Sequence, residues 1–200
     1  MRAAGRDAIA LPLFAVRSLA WVRPAVGLFD ALLVTSANAI RHAGPDLTAL
    51  RALPVIAVGA ASARAARAAG LMVVATGNSD GLAAVSMARQ AGFDRLLHLA
   101  GRDRIDLPGV TSLPVYASDA ISIGPTDTVR FVDRTVLLHS PRAARHVADL
   151  VDRDARERRR IALAALSPAV ADAAGTGWRR IDVAPYPDDD CLIAIATAAD

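Results

Sequence analysis

Apolar runs of strand length alternate along most of the chain with alanine-rich or amphipathic segments of helix length. The apolar runs are continuous, which is typical of strands buried on both faces of a parallel sheet. The pattern therefore predicts a doubly wound α/β fold. The predicted strands are residues 9–15, 31–35, 55–58, 71–75, 95–100, 135–139, 161–165 and 179–184. Four predicted helices cover residues 60–69, 142–151, 168–174 and 189–199. A further helix is predicted to begin near residue 37, and another to end near residue 90.

One arrangement occurs twice. Residues 30–42 and 133–146 each begin with an aspartate, continue as an apolar strand and pass through a serine into a helix. A second strand and helix follow each copy, so the repeat predicts two similar α/β lobes that face one cleft.

The change of pattern after residue 111 sets the expected lobe boundaries. The segment is extended and interrupted by Pro114 and Pro125, which favours a crossing between lobes. We expect one terminal lobe built from both chain termini, a central lobe, and an extended linker of two segments. The terminal lobe covers residues 1–22 and 119–200, the central lobe residues 27–112, and the linkers residues 23–26 and 113–118. The strand at residues 9–15 is expected in the sheet of the terminal lobe.

The composition excludes several kinds of chemistry. All 23 basic residues are arginine. Schiff-base catalysis, covalent pyridoxal phosphate and a Walker-type phosphate loop are therefore excluded, because each needs a lysine amine. Cys191 is the only cysteine, so an internal disulfide, a CxxC pair and a thiolate zinc cage are excluded as well.

Charge and hydropathy indicate which classes of partner the protein can bind and in which cellular compartment it is expected. No uncharged stretch exceeds 12 residues, whereas a membrane-spanning helix needs about 20. The N-terminus lacks the pattern of a secretory signal, so we expect a cytoplasmic protein without membrane contact.

The arginines are dispersed and only 4% of residues are aromatic, which argues against a nucleic-acid partner. The one dense run, residues 153–160, also contains acids and is interpreted as a solvated helix end. A net charge of +3 suits a small anionic ligand.

Small polar residues follow four of the predicted strands. Ligands of open α/β sheets bind at the carboxyl ends of the strands. A glycine there leaves space for a ligand beside the backbone, and hydroxyls and amides can donate hydrogen bonds to an anion. The candidate ligand-binding residues at these ends are Thr35, Ser36, Asn38, Gly59, Ser62, Ser140, Arg142 and Ser167. Ordinary capping of helix N-termini is the alternative explanation for each of them taken alone.

The common catalytic constellations are missing from the sequence. The four histidines lack metal-binding spacing and are interpreted as surface or packing residues. The acidic cluster at residues 188–190 precedes an apolar helix and is better explained as its cap than as a metal site. No GxGxxG loop follows a strand, and no GxSxG elbow is present. We therefore predict no metal and a site with little side-chain chemistry.

Taken in order, the motifs resemble those of the uroporphyrinogen-III synthases. The matching segments are residues 30–39, 57–63, 97–104, 114–116, 138–144 and 165–171, which span nearly the whole chain. The motifs are weak individually but specific in their order and spacing. The resemblance implies a monomeric, cofactor-free enzyme that closes hydroxymethylbilane, a linear tetrapyrrole with eight carboxylates, and inverts its ring D.

The resemblance also assigns further site residues. Tyr116 matches the family tyrosine proposed to help the substrate hydroxyl leave, although it could instead pack between the lobes. Gly101, Arg102 and Arg104 lie where substrate carboxylates would be bound, although exposed loop arginines are common.

The chain also departs from the family pattern. It begins where the first family helix would be ending, so the resemblance implies an N-terminally short member whose terminal lobe is expected to lack its usual first strand, unless the start codon is misassigned. Ser167 replaces a family glycine, and Val170 stands where many members have a hydroxyl. The alternative function is a non-catalytic, two-lobed module that binds small anions, including a decayed synthase. A receiver-like domain is excluded because it needs a lysine.

Overall fold

The computed structural model describes residues 7–77 and 80–198 and forms two compact units. One unit is Phe14–Ala120, which we call the central unit. The other, the terminal unit, takes the chain up to Leu13 and from Ile121 onward. Both predicted linkers, residues 23–26 and 113–118, therefore lie inside the central unit, as do residues 14–22 of the expected terminal lobe.

The central unit contains a six-stranded sheet with the order β1-β6-β5-β2-β3-β4. Strands β2 to β6 pair with one another in parallel, whereas β1 pairs antiparallel with β6. The strands are β1 Phe14–Ser18, β2 Ala31–Val34, β3 Val55–Val58, β4 Val73–Gly77, β5 Leu96–Gly101 and β6 Thr111–Ala120. The helices are α1 Ala37–His42, α2 Gly59–Ala68 and α3 Gly81–Gln90, with 3-10 turns at Val26–Leu28 and Pro45–Leu50.

Helices cover both faces of this sheet, as the apolar strands predict. On one face, Leu32 and Val34 of β2 pack in a core with Ala39 of α1 and Ala63 of α2. On the other face, Leu33 packs in a core that includes residues of α3. Every residue of β2 is fully buried, which explains why its sequence is apolar without alternation.

The predicted N-terminal strand is divided between the two units. The predicted strand at residues 9–15 straddles the boundary between the units. Leu11 and Leu13 pack against the core of the terminal unit, whereas β1 begins at Phe14 and joins the central sheet. An ion pair between Arg17 of β1 and Asp119 of β6, with 2.6 Å between Nε and Oδ2, accompanies this pairing.

The predicted linker 113–118 is part of strand β6. Pro114 does not interrupt the strand because it lies where β6 pairs with β5 alone. The antiparallel partner β1 pairs with β6 only from Tyr116 onward. A proline is tolerated in a strand where its missing N–H is not needed by a neighbouring strand.

The terminal unit contains a parallel sheet of three described strands with the order β7-β8-β9. The strands are β7 Thr135–Leu138, β8 Ala162–Ala165 and β9 Arg180–Val183. The helices are α4 Pro125–Thr128, α5 Pro141–Arg153, α6 Pro168–Ala174 and α7 Asp189–Ala198, with 3-10 turns at Val129–Phe131 and Arg158–Arg160. Residue 199, the last one of the predicted final helix, lies outside the described residues.

The arginine run at residues 153–160 is only partly a solvated helix end, because it continues beyond helix α5 and Arg158 has internal partners. Helix α5 ends at Arg153, and the chain turns at Ala155, which has a positive φ of 50°. Arg158 then donates to Asp152 and to the carbonyl of Thr176, and its guanidinium lies 4.8 Å from the ring centroid of Trp178. The run therefore ties segments of the terminal unit together.

Loss of the Leu163 side chain should strongly destabilise the terminal unit. Leu163 is fully buried at the centre of β8, so Leu163→Ala leaves a cavity that should lower the free energy of unfolding by about 2–5 kcal/mol. Urea unfolding followed by circular dichroism measures the change. Val183→Ala in edge strand β9 is the control, because Val183 is already 39% exposed. Equal effects of the two substitutions would contradict this account of the core.

Candidate active site

The sheet topology brings most of the predicted site residues of the central unit to one edge. Strands β5, β2 and β3 are adjacent and parallel, so their carboxyl ends lie side by side. This edge, which we call the carboxyl edge, includes the residues that directly follow the three strands. The predicted site residues here are Thr35, Ser36, Asn38, Gly59, Ser62, Gly101 and Arg102.

Two hydroxyls follow β2. Ser36 is the N-cap of α1, and its Oγ accepts a hydrogen bond from the Asn38 backbone N–H at 3.2 Å. A capping hydroxyl that accepts in this way keeps its own O–H for a ligand. The Asn38 carboxamide oxygen accepts from Arg41, which leaves its NH₂ group on the carboxyl edge. Capping thus explains Ser36 but does not use up its donor.

The start of α2 is open to an approaching molecule. Gly59 has a φ of +77°, a conformation that favours glycine, and a Cβ added there would meet no atom within 4 Å. Ser62, one turn further, is 3% exposed. Within residues 7–77 and 80–198, the Ser62 hydroxyl forms no hydrogen bond, and it is not a helix cap.

A β-bulge places Tyr116 over the end of β5. Ala100 pairs with Pro114 and Gly101 pairs with Tyr116, so Val115 is an extra residue in β6. Bulges of this kind change the direction of a side chain. A Cβ on Gly101 would lie 2.9 Å from Cζ of Tyr116 and 3.0 Å from its hydroxyl, which explains why residue 101 is a glycine.

The Tyr116 hydroxyl is free to donate. The ring packs against the core on the α1 side, and its centroid lies 6.3 Å from that of His42. Among the described parts of the chain, no group forms a hydrogen bond with the Tyr116 hydroxyl. A half-buried phenol with a fixed ring and an unused O–H can serve as a general acid.

Arg102 is paired with carboxylates. Its Nη2 donates to Asp119 Oδ1 at 2.6 Å, and Asp119 also accepts from Arg17. These two arginines hold the pKa of Asp119 below its usual range. Arg104 donates to the backbone carbonyl of Arg102 and does not share this pair. Two guanidinium groups on one carboxylate leave N–H donors for a further anion.

Sequence reasoning left open whether His98 is a surface or a packing residue and did not single it out; the structure buries it in the sheet. His98 is 2% exposed on β5, and its Nε2 lies 2.9 Å from the Thr35 hydroxyl oxygen. Its Nδ1 lies 3.1 Å from Oγ of Ser112. Burial, followed by the charge of Arg104, lowers the pKa of His98 to about 4. The only sequence signal is a histidine inside an otherwise apolar strand.

Three further predicted site residues lie in the terminal unit. Ser140 caps α5 by accepting from the backbone N–H of Ala143 at 3.1 Å, and Arg142 lies in the first turn of that helix. Ser167 precedes α6, but its hydroxyl makes no cap hydrogen bond. Val170 is buried in the core, which accounts for an apolar residue there.

The described residues hold no cluster of three or more His, Cys, Asp or Glu that could bind a metal ion. None of the helices within residues 7–77 and 80–198 is long and apolar enough to cross a bilayer.

Comparison with known families decides the assignment. The family model described as uroporphyrinogen-III synthase HemD matches residues 1–194. The chain belongs to the uroporphyrinogen-III synthase family. Members of this family are enzymes of tetrapyrrole biosynthesis, so the resemblance of the motifs is confirmed at the level of the family. A comparison with curated proteins found no match.

Solved structures support the fold of this family member. The chain resembles the uroporphyrinogen-III synthetase of Helicobacter pylori 26695 with a TM-score of 0.71 at 14% identity, over 97% of this chain and 96% of that one. It also resembles a mutant uroporphyrinogen III synthase of the extremely thermophilic bacterium Thermus thermophilus with a TM-score of 0.51 at 16% identity, over 92% and 86% of the two chains. The mixed α/β architecture with parallel sheets is therefore that of the family.

The buried histidine should make stability depend on pH. The pKa of His98 is about 4 in the folded protein, against about 6.5 in an unfolded chain, so between these values the unfolded state binds more protons. The free energy of unfolding should therefore be highest above pH 6.5 and fall by on the order of 3 kcal/mol as the pH drops to about 4.

Urea unfolding at several pH values between 7 and 4.5 tests this expectation. His98→Gln removes the titrating group, so the variant should lose less stability than the wild type as the pH falls. The aspartates with the lowest pKa values, Asp30 and Asp154 at about 2, titrate below this range. Parallel pH dependences for the two proteins would contradict the burial of a neutral His98.

Proposed function

We propose that this chain itself catalyses the reaction of a uroporphyrinogen-III synthase. It closes hydroxymethylbilane to uroporphyrinogen III with loss of one water and inversion of ring D, and so acts as a lyase without a cofactor or a metal. The observation that carries the proposal is the carboxyl edge, where hydroxyl, amide and guanidinium donors of adjacent strands lie together. The Tyr116 hydroxyl lies beside them and has no hydrogen-bond partner among the described residues.

The donors at this edge suit a polycarboxylate. A carboxylate only accepts hydrogen bonds, and Ser36, Asn38 and Ser62 each keep a donor that no described group of the protein uses. Gly59 exposes its backbone to an approaching group, and Arg102 supplies a fixed positive charge. The proposed substrate contacts of the central unit are Thr35, Ser36, Asn38, Gly59, Ser62, Gly101, Arg102 and Arg104.

The terminal unit also has hydroxyl and guanidinium hydrogen-bond donors, which we include among the proposed substrate contacts. We assign substrate contacts there to Ser140, Arg142 and Ser167, which lie at the carboxyl ends of the adjacent parallel strands β7 and β8 or in the following helix. Ser140 repeats the location of Ser36 in the central unit, because each is the N-cap of the helix that follows its strand.

Tyr116 is the proposed catalytic residue. The first step breaks the bond between the hydroxymethyl carbon of ring A and its oxygen, and the oxygen leaves more readily as water when it takes a proton. The Tyr116 hydroxyl can donate this proton, because the hydroxyl has no described partner and Gly101 leaves room for the ring. Ring D attacks the resulting cation through the carbon that already carries its methylene bridge to ring C, which gives a spiro intermediate. The bond from this carbon to the bridge then breaks, and the bridge bonds to the other α carbon of ring D, so ring D is inverted in the closed macrocycle. The proton returns to the phenolate when the macrocycle loses its final proton.

The proposed enzyme selects the type III isomer by controlling the conformation of the substrate. Hydroxymethylbilane can close unaided without inverting ring D, so an enzyme must hold the flexible chain in the one conformation that leads to type III. Several fixed donors on rigid strand ends can do this, since positioning alone can lower a barrier by several kcal/mol. As part of the same proposal, the enzyme acts as a monomer in the cytoplasm.

Separation of the product isomers tests the proposed reaction. Hydroxymethylbilane is generated enzymatically, incubated with the wild-type chain, and the products are oxidised and separated by chromatography. The type III isomer should dominate with protein and the type I isomer without it. A folded sample that binds hydroxymethylbilane but yields type I alone would identify a non-catalytic binding module instead.

Loss of the Tyr116 hydroxyl should slow formation of the type III isomer. Tyr116→Phe keeps the ring in place but removes the proton donor, so kcat should fall by about 100-fold. Tyr186→Phe is the matched control, because Tyr186 is the other tyrosine, is 70% exposed and lies in the terminal unit. An undiminished rate in Tyr116→Phe would remove this residue from the mechanism.

A further inference from the structure

Three polar side chains form a line beneath the carboxyl edge. Ser112 of β6 contacts Nδ1 of His98 at 3.1 Å, and Nε2 of His98 contacts the Thr35 hydroxyl at 2.9 Å. Neither the reaction nor the family assignment accounts for this line, because His98 itself is buried away from solvent.

The register of strands β6, β5 and β2 brings these three side chains together. His98 of β5 pairs with Ser112 on one side and with Leu33 on the other. Thr35 follows Leu33 by two residues and so belongs to the same face of the sheet. His98 therefore lies between a hydroxyl on β6 and a hydroxyl at the end of β2.

The imidazole in this line is neutral at physiological pH. His98 is 2% exposed, and the nearby Arg104 disfavours a second positive charge, so the pKa of His98 is lowered to about 4. A neutral imidazole has one nitrogen that donates and one that accepts. Either Nε2–H donates to Thr35 while Ser112 donates to Nδ1, or both hydrogen bonds run in the opposite direction.

The chemistry of the ligand distinguishes these two directions. A carboxylate can only accept, so Thr35 can bind it only with its own O–H. If the Thr35 O–H is directed to Nε2, that donor is lost. If Nε2–H donates to Thr35, the Thr35 O–H is free for the ligand. Ser112 then satisfies Nδ1, and neither nitrogen of His98 is left without a partner.

We propose that His98 is a positioning residue that accepts from Ser112 at Nδ1 and donates from Nε2 to Thr35, so that the Thr35 hydroxyl presents its proton to a carboxylate of the substrate. The proposal rests on the proposed function, because the direction of the hydrogen bonds is inferred from a ligand that can only accept. The direction can nevertheless be measured in the protein without ligand.

Nitrogen NMR of the histidine rings tests the direction in the full chain. His98 is assigned by the signal missing from His98→Gln. At pH 7 its Nε2 should carry the proton and its Nδ1 should not. Ser112→Ala removes the donor to Nδ1 and should raise the fraction of the other tautomer. A His98 that is protonated at Nδ1 in the wild type would overturn the proposal, whether or not the chain is active.

Steady-state kinetics test the consequence for the substrate. Ser112→Ala should raise the KM for hydroxymethylbilane by roughly 2- to 10-fold with little change in kcat, since a binding donor loses its orientation. The same substitution in a Thr35→Val background should add nothing, because the group that Ser112 orients is already gone. Ser86→Ala, at an exposed serine of α3, is the control and should not change KM.

The outcomes separate the two proposals. A wild-type chain that yields only the type I isomer overturns the proposed function, and the NMR result still decides the direction of the hydrogen bonds. An active chain in which Ser112→Ala leaves KM unchanged, or raises it equally with and without the Thr35 hydroxyl, overturns the positioning role. A merely structural role would change the unfolding free energy without this dependence on Thr35.

Discussion

The parallel pairing of β5, β2 and β3 is the constraint on which the site depends. It puts three strand ends on one edge, and its register decides which side chains meet there. Leu33 pairs with Ile56 on one side and His98 on the other. Since strand side chains alternate between faces, a shift of one residue would turn His98 away from Thr35. The apolar cores on both faces make such a shift costly, because buried leucines would change places with polar groups.

The opposite ends of the strands are anchored by the aspartates that begin each copy of the repeat. Asp30 donates its backbone N–H to the carbonyl of Arg95, and its carboxylate accepts from Arg95, which lowers its pKa to about 2. Asp133 and Arg160 form the same pair in the terminal unit. The repeated aspartate thus has a structural function, the alignment of strand starts. The repeated serines lie at the other ends, where they are available to a ligand.

The sequence allowed the apolar strands and their helices to be predicted because continuous burial leaves a strong pattern. Gly70 and Gly92 end helices as expected, both with positive φ. Strand β6 was missed because its polar residues and Pro114 resemble a linker, and only its pairing with β5 and β1 makes it a strand. The bulge that directs Tyr116 over Gly101 and the burial of His98 between two hydroxyls depend on contacts distant in sequence, which no local pattern reveals. Conversely, the predicted serines and glycines do lie at strand ends.

The claim that the carboxyl edge binds the tetrapyrrole can be tested by NMR. Uroporphyrinogen III, kept anaerobic, is titrated into the nitrogen-labelled protein while amide shifts are followed. The account predicts that the largest shifts in the central unit occur at residues 35–38, 59–62 and 101–104, with little change around Asp30 and Arg95 at the opposite ends of the strands. Shifts concentrated at those opposite ends, or a binding site elsewhere in the central unit, would contradict it.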